Sequence, residues 1–152
     1  MKQIAYKVVF AWCDGEMSSV SRMHSYGLLY KIGEVVTPLN ESYLYVFDSL
    51  TNANDFIGNL NLPRTTKLGN YKIFECEADI VDVPVFITDT TSAKIEKFWE
   101  QLGKGEEKDI SLKNLEAGRF DCLKEKHGYL WCYTPPKGSK FAKSVKLIRE
   151  VE

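Results

Sequence analysis

Glu75 and Glu77 stand two positions apart in the run Phe74-Glu75-Cys76-Glu77. Side chains two residues apart on a strand project from one face, so this spacing pairs two carboxylates on one side of a sheet. Such a pair can divide acid–base work or stabilise positive charge developing on a sugar. The same spacing suits the solvent face of an amphipathic strand with Phe74 and Cys76 turned inward, and both readings stay open. Cys122 with His127, and Cys13 with His24, have the residue types of a nucleophile and its base. Tyr129, Trp131 and Tyr133 alternate along a second strand-like run, with Lys126, His127, Lys137 and Lys140 near its ends. Rings in that arrangement can stack on bases, anchor a protein partner, or pack beneath a helix as core. The cysteines form no C-x-x-C pair, so a structural zinc site is not expected, and the chain is read as a domain without a metal or bound cofactor. Cys76 and Cys132 fall within strands and read as small buried hydrophobes. No P-loop, Rossmann or G-x-S-x-G fingerprint occurs.

These side chains need elements to position them, and residues 43 to 78 mark theirs plainly. Tyr43, Tyr45 and Phe47 alternate with Leu44, Val46 and Asp48, the period of a strand. Asp48 and Ser49 are good helix caps, and Leu50, Ala53, Phe56, Ile57 and Leu60 follow at helical spacing. This predicts a helix over 50–60 with Leu50, Phe56, Ile57 and Leu60 largely buried. Alternation returns over 71–78. Residues 3–12 predict a first strand with Ile4, Tyr6, Val8 and Phe10 on one face, and Val9 suggests partial burial of the other. Residues 28–36 read as extended and broken at Gly33, and 144–151 as a closing strand. Pro84 places the 80–87 stretch at an edge or a bend. A second helix is expected over 92–102, from the caps at Asp89 to Ser92 and the stripe Ile95, Phe98, Trp99 and Leu102. The sum is a single α+β domain over 1–152, with a mainly antiparallel, curved sheet, about two helices, and residues 80–142 as an elaboration on the core.

Composition narrows the classes. The chain has 152 residues, 44% hydrophobic and 12% aromatic, which excludes a disordered chain and allows a core without staples. No apolar run approaches the roughly 18 residues of a membrane helix, and no secretory apolar region follows Met1, so a soluble, cytoplasmic protein is expected. Net charge is −1, but it is unevenly spread. Residues 119–152 carry eight Lys/Arg against four Asp/Glu, a net +4, while the first 118 residues carry twelve against seventeen, a net −5. Such polarity can steer an acidic partner to one end. It falls short of the strongly basic balance of a dedicated nucleic-acid domain.

Several short segments carry a resemblance: Tyr6 to Val9, Tyr30 to Glu34 with Pro38, Tyr45 to Leu50 with Ala53 and Phe56, Phe74 to Glu77, and Val145 to Val151. Together they resemble a set of small uncharacterised proteins from phage and bacterial genomes, without covering residues 80–142. The resemblance implies a viral or mobile-element accessory protein. Together with the absence of a complete catalytic set, it leads to the expectation of a protein in the host cytoplasm that binds a host protein without enzymatic action, inhibition of a host process being one form of this. Separately, a strand with E-x-E after a helix is similar to the catalytic strand of one class of ADP-ribosyltransferases. That likeness implies NAD as co-substrate, Glu77 as the catalytic residue, Glu75 as its partner and Ser49 as the serine of an earlier strand. The first-strand arginine of that pattern is absent here, and Lys7 is the nearest substitute, without a bidentate phosphate fork. A nucleotide or nucleic-acid binder using Tyr129, Trp131, Tyr133, Lys137 and Lys140 is a third expectation.

Overall fold

The run Ala5 to Phe10 is buried on both faces, and this decides the architecture. A computed structural model describes residues 2–20, 28–39, 42–59, 63–82 and 136–151, and the strand backbone at 87–88, 119–125 and 128–133. Strand β1 (Lys2–Trp12) pairs along its length with β6 (Gly69–Val81), from Lys2 opposite Asp79 to Trp12 opposite Gly69. The other edge of β6 takes β10 (Ser139–Glu150). β10 in turn pairs with β5 (Leu44–Phe47), and Phe47 of β5 pairs back to Tyr6 of β1. Each of these four strands is bonded to two of the others, so the pairing runs round a closed circuit, β1–β6–β10–β5. Three short strands extend it. β2 (Met17–Ser18) adds to β1, β3 (Leu29–Tyr30) adds to β2, and β4 (Val35–Val36) adds to β10. All pairings in this seven-stranded sheet are antiparallel.

Alternation sorts the side chains into two clusters. Ala5, Val9, Leu44, Val46, Phe74, Cys76, Ala78, Ala142, Val145 and Leu147 face inward around the circuit, joined by Tyr30 from β3. Val8, Phe47 and Ile73 face the other way and meet the helix α1 (Leu50–Asn59) through Ala53 and Ile57. Burying each of the larger aliphatic and aromatic side chains contributes about 1.5–3 kcal/mol, which makes these two faces the main source of stability. The register of β10 against β6 shifts between Ala142 and Val145 and again between Leu147 and Arg149. Bulges bend the strand that carries them, and the first lies where β10 passes from β5 to β4.

Helix α1 begins where its cap predicts. The Ser49 hydroxyl accepts the Asn52 amide at 3.2 Å, and Asp48 Oδ1 accepts the Asn52 side-chain amide at 2.8 Å. Gly138 closes the turn into β10 with φ of 79°, a left-handed conformation that favours glycine, and its carbonyl accepts the Asp48 amide at 2.9 Å.

The strand–helix–strand unit of residues 43–78 is therefore present, with differences of detail. Leu50 and Phe56 are only half-buried, and Ala53 and Ile57 carry the buried stripe. The strand expected over 71–78 begins at Gly69 and continues through Ile80 to Val81, because β1 offers a partner along that whole length. The closing strand likewise starts at Ser139, five residues earlier than its alternation suggests, since β5 pairs with its first turn of sequence. In β1 the inward face holds Ala5 and Val9, while Ile4 lies exposed near the strand's start. Among the described residues there is one helix; the helix expected over 92–102 and the end of α1 at Leu60 lie outside them. A mainly antiparallel β-sheet with a helix against it is shown. Between residues 87 and 133 a three-stranded antiparallel sheet forms from β7 (Ile87–Thr88), β8 (Arg119–Glu125) and β9 (Gly128–Tyr133), in the order β7–β9–β8. No helix among the described residues is long and apolar enough to cross a membrane.

Candidate functional site

The E-x-E pair faces away from the inward cluster, because Phe74 and Cys76 take the inward positions of β6. Glu75 Oε2 accepts the Arg149 guanidinium at 2.9 Å across from β10, and Glu77 Oε1 lies 3.9 Å from Lys2 Nζ. A third pair, Lys72 with Glu150 at 3.2 Å, occupies the opposite face near the end of the ladder, since Lys72 stands two residues from Phe74 and Glu150 is registered to Phe74. Solvent screens such pairs, and each contributes about 0–1 kcal/mol. Ser49 uses its hydroxyl to cap α1. Lys7 alternates with Ala5 and Val9 and so points inward, opposite to Glu75 and Glu77. The structure thus does not bring the first-strand cation and the two carboxylates to one face.

Lys7 is the residue whose surroundings depart furthest from its sequence expectation. It is 7% exposed, its Nζ donates to the Tyr45 carbonyl at 2.7 Å, and it sits 5.3 Å from the centroid of the Tyr30 ring. A cation over an aromatic face gains about 2 kcal/mol when desolvated. No carboxylate lies within ion-pair distance of it among the described residues. Tyr30 is 2% exposed, and its buried hydroxyl has no hydrogen-bond partner among the described residues. Cys76 shares the inward face, where burial pushes its thiol up to about 12 and the Lys7 ammonium pulls the other way. Burial also raises the Tyr45 phenol. The Tyr45 side chain alternates with the inward Leu44 and Val46 and points the other way, so Lys7, Tyr30 and Cys76 are the polar groups set in this apolar lining. Their trace in the sequence is a lysine at the inward position between Ala5 and Val9, inside an apolar run.

The aromatic triad occupies alternate positions of β9, with Tyr129 opposite Lys124, Trp131 opposite Asp121 and Tyr133 opposite Arg119. Lys137 is exposed in the turn before β10, and Lys140 is exposed at the start of that strand. Cys13 is exposed and Cys76 buried; His24 and His127 lie outside the described residues, as do the side chains of Cys122 and Cys132. No group of three or more potential metal ligands occurs among the described residues.

A different surface emerges on residues 28–39. Leu29, Ile32, Val35 and Leu39 are four of the seven large hydrophobic side chains exposed among the described residues, each between 41% and 61% open. The segment crosses from β2, through β3, to β10, through β4, with the Gly33 amide bonded to the Leu147 carbonyl at 2.8 Å. Among the described residues β3 and β4 are each paired on one side alone. Comparison of the chain with protein-family models, with curated proteins and with solved structures finds no match.

Proposed function

We propose that this chain is a small accessory protein that acts by binding another protein, and that residues 28–39 form its docking surface. The observation that carries this reading is the concentration of four exposed apolar side chains in one short segment, Leu29 and Val35 on two edge strands, Ile32 in the turn between them and Leu39 just after the second. Exposed apolar groups clustered in this way mark interaction sites, and an edge strand offers a partner its unused backbone donors and acceptors. Val35 lies opposite Lys146 in the ladder, and Lys143 is exposed nearby on β10. An acidic partner with apolar anchors suits that surround, as does the +4 balance of residues 119–152. The resemblance to phage and bacterial proteins makes a host protein in the cytoplasm the natural partner, with inhibition of that partner as the outcome. The sequence expectation of a binding strand at Tyr129, Trp131 and Tyr133 with Lys137 and Lys140 is the second candidate.

The test is a host-lysate pull-down with the wild-type chain, Val35→Asp, Trp131→Ala and Glu77→Gln, each checked for a native circular-dichroism spectrum. A partner retained by Glu77→Gln and lost in Val35→Asp supports docking at 28–39. Loss in Trp131→Ala alone moves the surface to β9. Incubation with labelled NAD provides the opposing arm. Label transfer that disappears in Glu77→Gln would replace this reading with the transferase one, and salt-sensitive oligonucleotide binding without a protein partner would favour nucleic acid.

A further inference from the structure

We propose that Lys7 and Tyr30 form a binding site for a small carboxylate inside the strand circuit. Three observations converge there. The Lys7 ammonium is buried and spends one N–H on the Tyr45 carbonyl; its other two have no acceptor among the described residues. The Tyr30 hydroxyl is buried with no partner among the described residues, and its ring lies beneath the same ammonium. The surrounding lining, Ala5, Val9, Phe74 and Cys76, offers no compensating negative charge. A buried ammonium without a counter-charge is costly, and so is a buried hydroxyl without a hydrogen bond. One ligand chemistry satisfies both groups. An anionic oxygen completes the ammonium, and a second oxygen on the same atom accepts from the phenol, as a carboxylate provides.

Charge selects among oxyanions. The site carries a single positive charge in an apolar setting, and the neighbouring Cys76 thiol stays neutral at physiological pH. A monoanion is balanced there, whereas a phosphate dianion would keep an uncompensated buried charge. The site is independent of the docking surface, because Tyr30 turns inward where its neighbour Leu29 turns out.

The experiment is an NMR titration with sodium acetate at constant ionic strength, set by sodium chloride. Backbone amide signals of Lys7, Tyr30, Tyr45 and Cys76 report on the site in the full chain. Saturable shifts of these four signals are expected with acetate. Tyr30→Phe removes a single unbonded oxygen and should weaken acetate binding at least fivefold with the fold intact, while Lys7→Met should abolish it. Absence of saturation in the wild-type chain overturns the site. So does acetate affinity that Tyr30→Phe leaves unchanged, a result that stands even if Lys7→Met fails to fold. Saturation by phosphate in place of acetate would overturn the carboxylate assignment.

Discussion

Cys76 and Cys13 have the same side chain in opposite surroundings, one sealed within the inward cluster and one exposed. Brief treatment with iodoacetamide at neutral pH followed by peptide mapping should label Cys13 and spare Cys76, since the thiolate is the nucleophile. The same burial links Cys76 to stability. Its folded-state value is raised from an ordinary 9.0 to about 12, so the native state holds the proton more tightly than the unfolded chain. Its contribution is complete below pH 9 and falls away as pH climbs from about 9 towards about 12. Denaturant melts of the wild-type chain and Cys76→Ala across that range should show a shallower alkaline loss in the variant. Equal slopes would mean that Cys76 is not the group responsible. Reading Cys76 as inert core needs only its place in an alternating strand. Lys7 was not legible in that way: alternation puts it inward, but a lysine's usual exposure argues outward. The carbonyl of Tyr45 and the ring of Tyr30, both distant in sequence, settle its position.

At the scale of elements, α1 was legible because cap, stripe and turn all agree, from Ser49 through Ala53 and Ile57. Ile57→Ala should cost about 2–5 kcal/mol, and the half-buried Phe56→Ala should cost less than Ile57→Ala, both measured by urea denaturation. A larger loss at Phe56 would reverse the assignment of the buried stripe. Strand ends were less legible than strand existence. β6 and β10 run past their alternating segments because partners from elsewhere in the chain continue alongside them. Gly69 shows why such an extension is specific. Its φ is 155°, and a Cβ there would run into the Ala11 carbonyl oxygen and crowd the Phe10 ring. Gly69→Ala should therefore destabilise the β1–β6 end by about 1–3 kcal/mol, the usual range for overpacking. A melting temperature unchanged from wild type would show that this close approach relaxes freely.

For the whole molecule, fold class could be read from period and turn chemistry, but closure of the strand circuit could not. It depends on Phe47 meeting Tyr6 and on β10 finding both β5 and β6, pairings set by tertiary register. The exposed apolar segment proposed for docking was hidden for a related reason: an apolar residue such as Val35 reads as core until the sheet assigns it to an edge. The circuit also has a consequence for synthesis. β6 lies between β1 and β10, which stand near opposite ends of the sequence, so its second edge stays naked until residues 139–150 leave the ribosome. Until then a nascent chain can form the β1–β6 pair but presents an open strand to its neighbours, the template on which aggregation begins. Non-local pairing of this kind also places refolding in the roughly millisecond-to-second range. Stalled chains ending before residue 139 should accordingly be protease-sensitive and depend on chaperones for solubility, whereas chains in which residues 139–150 have emerged should not.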